Sequence, residues 1–390
     1  MNVRHISYFN QWHGALVTNM LAGILLALAL LPGAIAFSFI ACVSPTIGML
    51  STGLMMLVIS LTGNRTLMVS APSSGVSLVV APLMSSHGMP AVILATLIMG
   101  IIQILMGICR INKLLDYIPT GVVIGFMNAL GVLLFTSQLK NILNISNATY
   151  VIAVASFLII WLAQRYIRFM PAPLIAIIIL TICAWWLKPD IVYVHHLASL
   201  HIHVPMLSFP DAMYDMHIVG ISSMYGETMA IVAVVQTTLT ARMMDAVTAT
   251  KSDKNKETIG QGVANTIVAL FGGYGGSALV GQSRFNATMG ATSRVSTLIT
   301  GAFLLISLFV FGDIIGQIPM AVLATVLITI SLNTFDRRTI SFVKVSPIKH
   351  GAIVVLTMLI ILSTNNLAAG VVLVSLLYYL IQGFNKRKGR

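Results

Sequence analysis

The chain has 390 residues, of which 57% are hydrophobic and only 8% charged, and its mean hydropathy is +0.95. No water-soluble domain of this length carries so little charge, and the alternating segments of about ten residues that would build a transmembrane β-barrel are absent, so the sequence predicts an all-α integral membrane protein. The formal net charge of +12 does not point to nucleic acid, because the basic residues sit scattered at the ends of apolar runs.

Taken in chain order, apolar runs predict helices over 20–42, 44–62, 68–84, 91–109, 118–139, 149–164 and 170–187. A second series follows over 217–243, 258–272, 277–292, 295–311, 317–333, 350–364 and 367–382. About 14 crossings place both termini on the same side. With that side cytoplasmic, Arg4, Arg65, Arg110, Lys113, Arg165, Arg168, Lys251, Lys254, Lys256, Arg294, Arg337, Arg338, Lys344, Lys349 and the tail from Lys386 to Arg390 face inward, while Lys140 and Lys188 fall outside. This asymmetry obeys the positive-inside rule and reads as a multi-pass protein of a bacterial inner membrane. Cys42, Cys109 and Cys183 lie in apolar segments without ligand spacing and read as small hydrophobes. The N-terminus shows no small-residue cleavage site, so the first helix is expected to remain in the mature protein.

Seven crossings per half set the halves in opposite orientations, the arrangement of inverted-repeat transporters. One repeat covers about 18–187 and the other about 217–382, joined by an external linker over 188–216 and ending in a short basic tail, 383–390. The third segment of each half is interrupted. In the first half, Pro72 within Val69-Ser70-Ala71-Pro72-Ser73-Ser74-Gly75-Val76-Ser77 forbids a continuous helix. In the second, four glycines in five residues, Gly272 to Gly276, precede Ser277-Ala278-Leu279-Val280-Gly281-Gln282-Ser283-Arg284. Each segment reads as an extended approach followed by a short helix starting near mid-membrane, at Ser73 and at Ser277. Two such helix N-termini leave unpaired N–H groups and partial positive charge at one place, which favours an anion. Ser70, Ser73, Ser74 and Ser277 add hydroxyl donors, with Ala71 and Ala278 beside them. Small residues also permit tight helix packing in membranes, and packing alone is the competing account.

Arg284 lies seven residues after Ser277, close to two helical turns, which would set both on one face. Two readings stand for it: a charge along an anion pathway, or an arginine that snorkels to the interface or pairs with a carboxylate such as Asp245. The linker holds His195, His196, His201 and His203, yet no carboxylate or cysteine joins them at a ligand spacing, so it reads as a loop with no metal. Leu200 to Pro205 alternates as a short extended piece, and Lys251 to Glu257 reads as a solvated cytoplasmic loop. No phosphate loop, catalytic triad or helix-borne zinc motif appears, which argues against an enzyme and against a cofactor.

Leu31-Pro32-Gly33-Ala34-Ile35-Ala36-Phe37-Ser38, Val43-Ser44-Pro45-Thr46-Ile47-Gly48 and Val69-Ser70-Ala71-Pro72 together resemble the opening of the SulP family of anion transporters, whose animal relatives include prestin. Ile118-Pro119 through Gln138, Ile259 to Asn265, Gly281-Gln282-Ser283 and Ile318-Pro319-Met320-Ala321 extend the resemblance to about residues 18–382. It implies 14 segments in two inverted repeats of seven, with a core domain that moves against a gate domain. The substrate anion would then lie between the third and tenth segments, flanked by Phe37, with Ser73 donating to it and Gly281 and Gln282 at the tenth segment. The lipid bilayer and a small anion are the implied partners, and membrane segments offer the route to a homodimer.

Three departures from the family pattern bear on mechanism. Where prokaryotic relatives often carry glutamate after the proline of the first segment, this chain has Gly33, and where they usually carry an acidic residue in the eighth segment it has Gln236, in Gln236-Thr237-Thr238-Leu239-Thr240. A cation at mid-membrane needs an anionic partner, and a neutral amide does not supply one. Glu227, nine residues before Gln236, falls near the outer end of that segment. The expectation is anion exchange or passive conduction without sodium or proton coupling through those sites. The third departure is the end of the chain at Arg390, where most relatives continue into a soluble STAS domain, so a short form without it is expected. Two alternatives remain: a nucleobase permease of the related fold, which generally binds through acidic side chains in the eighth and tenth segments, and a non-transporting membrane scaffold.

Overall fold

The computed structural model describes residues 11–111, 117–167, 170–197, 207, 214–364 and 366–388. Among the described residues its elements are helices and one pair of two-residue strands. The first half runs α1 (Leu16–Ile40), α2 (Pro45–Thr62), β1 (Ser70–Ala71), α3 (Ser74–Ile108), α4 (Thr120–Leu139), α5 (Asn147–Tyr166) and α6 (Ala172–Leu187). After a one-turn α7 (Val194–Leu197), the second half runs α8 (Met216–Thr248), α9 (Lys254–Leu270), β2 (Ser277–Ala278), α10 (Val280–Thr288), α11 (Val295–Gly316), α12 (Met320–Thr334), α13 (Thr339–Val345), α14 (Pro347–Thr364) and α15 (Leu367–Lys388). Among the described residues, seven helices are long and apolar enough to cross a membrane, and four shorter apolar helices accompany them. The fold is all-α.

Gly88 divides α3, with φ 73° and ψ −175°, a left-handed conformation that costs a residue with a Cβ steric strain. Pro90 follows two residues later and disfavours a helical conformation at Met89. Divided there, and with α7 and α13 set aside, the described helices number fourteen, seven in each half. The order helix, helix, strand, helix recurs in both halves. This matches the predicted plan of segments, with corrected ends. The predicted helix 68–84 is a strand at Ser70–Ala71 and a helix from Ser74, and the predicted helix 277–292 is a strand at Ser277–Ala278 and a helix over Val280–Thr288. Ser277 therefore does not start a helix, and the two-turn argument that set Arg284 on its face does not hold.

The eighth segment is longer than its apolar run because the Asp215 side chain caps its start, accepting from the His217 and Ile218 N–H groups, and Ala249 ends it in a left-handed conformation. The ninth starts earlier than expected. Asp253 accepts from the Asn255 and Lys256 N–H groups, so the stretch read as a solvated loop supplies the first turn of α9, and Glu257 within it is fully buried. Cys42 and Cys109 sit at helix ends, whereas Cys183 lies within α6; all three are exposed at the protein surface. Leu200 to Pro205, with His201 and His203, lies outside the described residues.

The chain divides into two units, Met1–Asn112 with Leu139–Val326, and Lys113–Gln138 with Leu327–Arg390. In the first, Leu26, Ala27 and Leu30 of α1, Met55, Met56 and Ile59 of α2, Val69 and Ala71 at β1, Ala264 and Val268 of α9 and Leu304 of α11 form one apolar cluster against β1. In the second, Asn128 of α4 donates to Thr339 Oγ1 at 2.9 Å and accepts from the Asp336 N–H, which fixes the turn between α12 and α13.

Two arginines expected in cytoplasmic loops are buried in the first unit. Arg65 donates to the Met244 carbonyl, Thr248 and Thr250 and stands 3.4 Å from Asp245. Burial draws its pKa below the usual guanidinium value, and Asp245 and Glu257 oppose that pull. Arg294 donates to the Ser60 and Gly63 carbonyls, and Glu257 Oε2 accepts the Asn64 and Arg65 N–H groups, both at 2.6 Å. These bonds satisfy the backbone of the turn that leads into β1.

Candidate functional site

Both interrupted segments meet. β1 and β2 pair antiparallel, with Ser70 opposite Ala278 and Ala71 opposite Ser277. Gly276 permits the crossing: a Cβ there would stand 2.2 Å from the Ala71 carbonyl oxygen and 2.6 Å from the Pro72 nitrogen. The Leu279 N–H extends the pairing to the Val69 carbonyl at 2.8 Å, and the Val69 N–H returns to Ser283 Oγ at 2.9 Å.

Directly after each strand a helix begins without a side-chain cap. Ser73 is the N-cap of α3 and Leu279 that of α10, and neither side chain accepts from the turn that follows. The first N–H groups of both helices are thus left for water or a ligand. Their neighbour is a hydroxyl cluster: Ser277 Oγ lies 2.8 Å from Ser73 Oγ, and Gln236 Oε1 of α8 accepts from Ser73 at 2.9 Å and from Ser277 at 2.6 Å. Ser73 and Ser277 are 1% and 0% exposed, so these bonds form away from bulk lipid and water.

A second tier of polar side chains fixes the strands. Gln261 Oε1 accepts from Ser70 Oγ at 2.8 Å, which commits the only proton of that hydroxyl. Asn265 takes the Gly276 N–H at 2.9 Å and donates to the Gly276 carbonyl at 3.2 Å. Ser51 and Thr96 accept the Tyr274 and Gly275 N–H groups, and Thr237 accepts that of Ala278. Thr240 Oγ1 bonds back to the Gln236 carbonyl at 2.8 Å and lies 3.4 Å from that of Ala278. A buried backbone without such partners would cost about 1–3 kcal/mol per group, so the glycine run is tolerated because each N–H from Tyr274 to Ala278, Ser277 in the strand pair included, has somewhere to point.

The structure therefore joins Ser70, Ala71, Ser73, Gln236, Thr240, Ser277 and Ala278 in one network. Ser74 and Gln282 are half-buried and Gly281 is exposed, and among the described residues none of the three bonds to it through a side chain. Phe37 and Gly33 lie buried on α1, where a Cβ at Gly33 would meet only the Phe37 ring, at 3.8 Å. Arg284 is exposed, and Asp245, its suggested partner, pairs with Arg65 and Lys254 instead. Gln261 and Asn265 are the supports that reasoning on the breaks alone missed. Their signal was present: two amides four residues apart, on one face of a helix whose stretch from Ile259 to Leu270 is otherwise apolar but for Thr266.

Residues 16–358 match the sulfate permease family. "Putative sulfate transporter YbaR" of Bacillus subtilis (strain 168) is 37% identical over 361 residues, covering 93% of this chain and 76% of that protein. "Bicarbonate transporter BicA" of a Synechocystis strain is 24% identical over 306 residues, covering 71% of this chain and 54% of that protein. Among solved structures, the transmembrane domain of a cyanobacterial bicarbonate transporter BicA superposes with a TM-score of 0.80 at 22% identity, covering 94% of this chain and 97% of that one. SLC26A9 gives 0.82 at 18% identity, over 95% of this chain and 65% of that one. At such identities the likeness establishes the fold.

Proposed function

The chain belongs to the sulfate permease family, and from that premise we propose that it carries small inorganic or organic anions across the membrane by alternating access. The class is that of sulfate, bicarbonate, chloride and dicarboxylates, and the anion is held between the starts of α3 and α10. One observation supports this above others: the β1–β2 pairing brings two uncapped helix N-termini to a buried pair of serine hydroxyls 2.8 Å apart. Phe37, Ser74, Gly281 and Gln282 then line the approach, and Arg284 is a charge along the pathway.

No carboxylate side chain joins this network among the described residues, and Gln236 occupies the eighth-segment position within it. Transport is therefore proposed to proceed without sodium or proton coupling at Gly33 or Gln236. The basic residues at helix ends support cytoplasmic termini, and membrane segments are the route by which two copies would pair.

Purified protein in liposomes tests the reading, with uptake of radiolabelled sulfate, bicarbonate, chloride and a small dicarboxylate measured with and without imposed sodium and proton gradients. Uptake of at least one anion, insensitive to either gradient and reduced at least about tenfold in Ser73→Ala and Ser277→Ala, is expected. Equal flux in all three proteins would remove the site, and a steep response to a cation gradient would remove the uncoupled mechanism.

A further inference from the structure

The Gln236 carboxamide occupies the donors that a bound anion needs. Ser73 has one hydroxyl proton and gives it to Gln236 Oε1; Ser277 has one, shared between Gln236 Oε1 and Ser73 Oγ. Both protons thus end, directly or through Ser73, on one amide oxygen. Among the described residues Gln236 Nε2 donates to no protein group, and it packs against Gly75, where a Cβ would stand only 2.8 Å away. The glycine is what lets the amide reach the hydroxyl pair.

From this accounting the geometry points to Gln236 as a specificity-determining switch at the anion site: its oxygen stands in for the anion when the site is empty, and its NH₂ turns to the anion when the site is loaded. The inference rests on the anion-site reading given above. A half-turn about the terminal torsion exchanges oxygen and nitrogen in nearly the same space, and that torsion is broad and close to two-fold. In one orientation the side chain accepts from two hydroxyls; in the other it adds two donors to theirs. A carboxylate at this position can only accept, and it repels an anion besides. A neutral amide therefore excludes nothing negative while keeping the empty site satisfied, which an apolar residue does not.

The test compares Gln236→Glu and Gln236→Met with the unmodified protein in liposomes, with equal pH on both sides. Radiolabelled sulfate and chloride serve as probes, because neither changes charge between about pH 4 and pH 8, a range that spans the ordinary glutamate value. For Gln236→Glu, the apparent KM is expected to rise at least about tenfold at pH 8 with Vmax changed less than about twofold, and to return toward the unmodified value at about pH 4, below the ordinary glutamate value of about 4.3, where a protonated carboxyl again offers a donor. Gln236→Met is expected to lose affinity equally at both pH values, because its thioether is a weak acceptor with no proton to donate or to titrate.

A Gln236→Glu protein whose KM equals that of the unmodified protein overturns the switch, and so does a loss of affinity that ignores pH, since that marks a merely structural position. The two readings separate through Ser73→Ala and Ser277→Ala: if these leave sulfate and chloride uptake unchanged, the site itself fails, and if they abolish it while Gln236→Glu is silent, only the switch fails. No flux of either anion through the unmodified protein overturns both.

Discussion

Replacing Gly276 by alanine tests whether the strand crossing, and not the serines alone, makes the site. The new Cβ would fall 2.2 Å from the Ala71 carbonyl oxygen, 2.3 Å from the Ala71 carbonyl carbon and 2.6 Å from the Pro72 nitrogen, all backbone atoms without a rotamer to yield. Reaching an ordinary separation of about 3.5 Å requires β1 and β2 to part by about 1 Å. That movement stretches the 2.8 Å contact between Ser73 and Ser277 beyond hydrogen-bond length and weakens the two bonds between Asn265 and Gly276. Overpacking and the lost bonds together destabilise by about 2–4 kcal/mol. The measurement is the thermal midpoint of the detergent-solubilised protein, followed by size-exclusion fluorescence, with anion uptake in liposomes beside it. Gly220→Ala is the control, because nothing lies within 4 Å of a Cβ there and alanine favours the helix by up to about 1 kcal/mol. Gly276→Ala is expected to melt well below the control and to lose at least about tenfold in uptake. If both variants melt together and transport alike, the close crossing plays no part in building the site.

Three further outcomes follow from the same packing. Arg65→Lys keeps the charge beside Asp245 but cannot span the Met244 carbonyl, Thr248 and Thr250 together, so a loss of about 2 kcal/mol in thermal or denaturant stability is expected, less than additive with Asp245→Asn. Gly88→Ala forces a Cβ into a left-handed conformation at φ 73°, although the nearest side-chain atom is 3.8 Å away, so a loss of about 1–2 kcal/mol reports backbone strain alone and should vanish if the break in α3 straightens. Glu257→Gln keeps an acceptor for the Asn64 and Arg65 N–H groups and is expected to cost about 1–3 kcal/mol, whereas Glu257→Ala orphans both and should cost about 3–5 kcal/mol; the reverse order of melting points would refute the role assigned to this carboxylate.

Segment count and the two interruptions were legible because lipid imposes them: apolar length marks a crossing, and Pro72 or Gly272 to Gly276 inside such a length marks irregular backbone. The pairing of Ser70 with Ala278 was not legible, since two residues of strand carry no periodicity of their own. Its consequence for Ser277 could not be seen either: a residue expected to start a helix lies in a strand, and the helix starts at Val280. Charge misled in the opposite sense. Arg65 and Arg294 were counted as cytoplasmic loop charges, yet both are buried beside Glu257: Arg294 and Glu257 partner carbonyl and N–H groups of the turn into β1, and Arg65 bonds to the end of α8.

That contrast separates two jobs that charged residues could have shared. The turn before β1 is held by two arginines and a glutamate: Arg294 and Glu257 bind its backbone groups, and Arg65 ties it to the Met244 carbonyl of α8. The meeting of β1 and β2 is held by neutral donors and acceptors, Gln261, Asn265, Thr237, Ser51 and Thr96, each spent on a backbone group or on Ser70. Placing a fixed positive charge at the serines would bind an anion more tightly but would also slow its release, and a fixed negative charge would exclude it. On the proposed reading, helix N-termini and hydroxyls supply partial charge that an anion would be able to leave, and the Gln236 oxygen would then accept the hydrogen bonds of both hydroxyls. A carrier has to empty its site as readily as fill it, and if the proposed site is the one used, the neutral side chains around Ser73 and Ser277 would meet that requirement where a salt bridge would not.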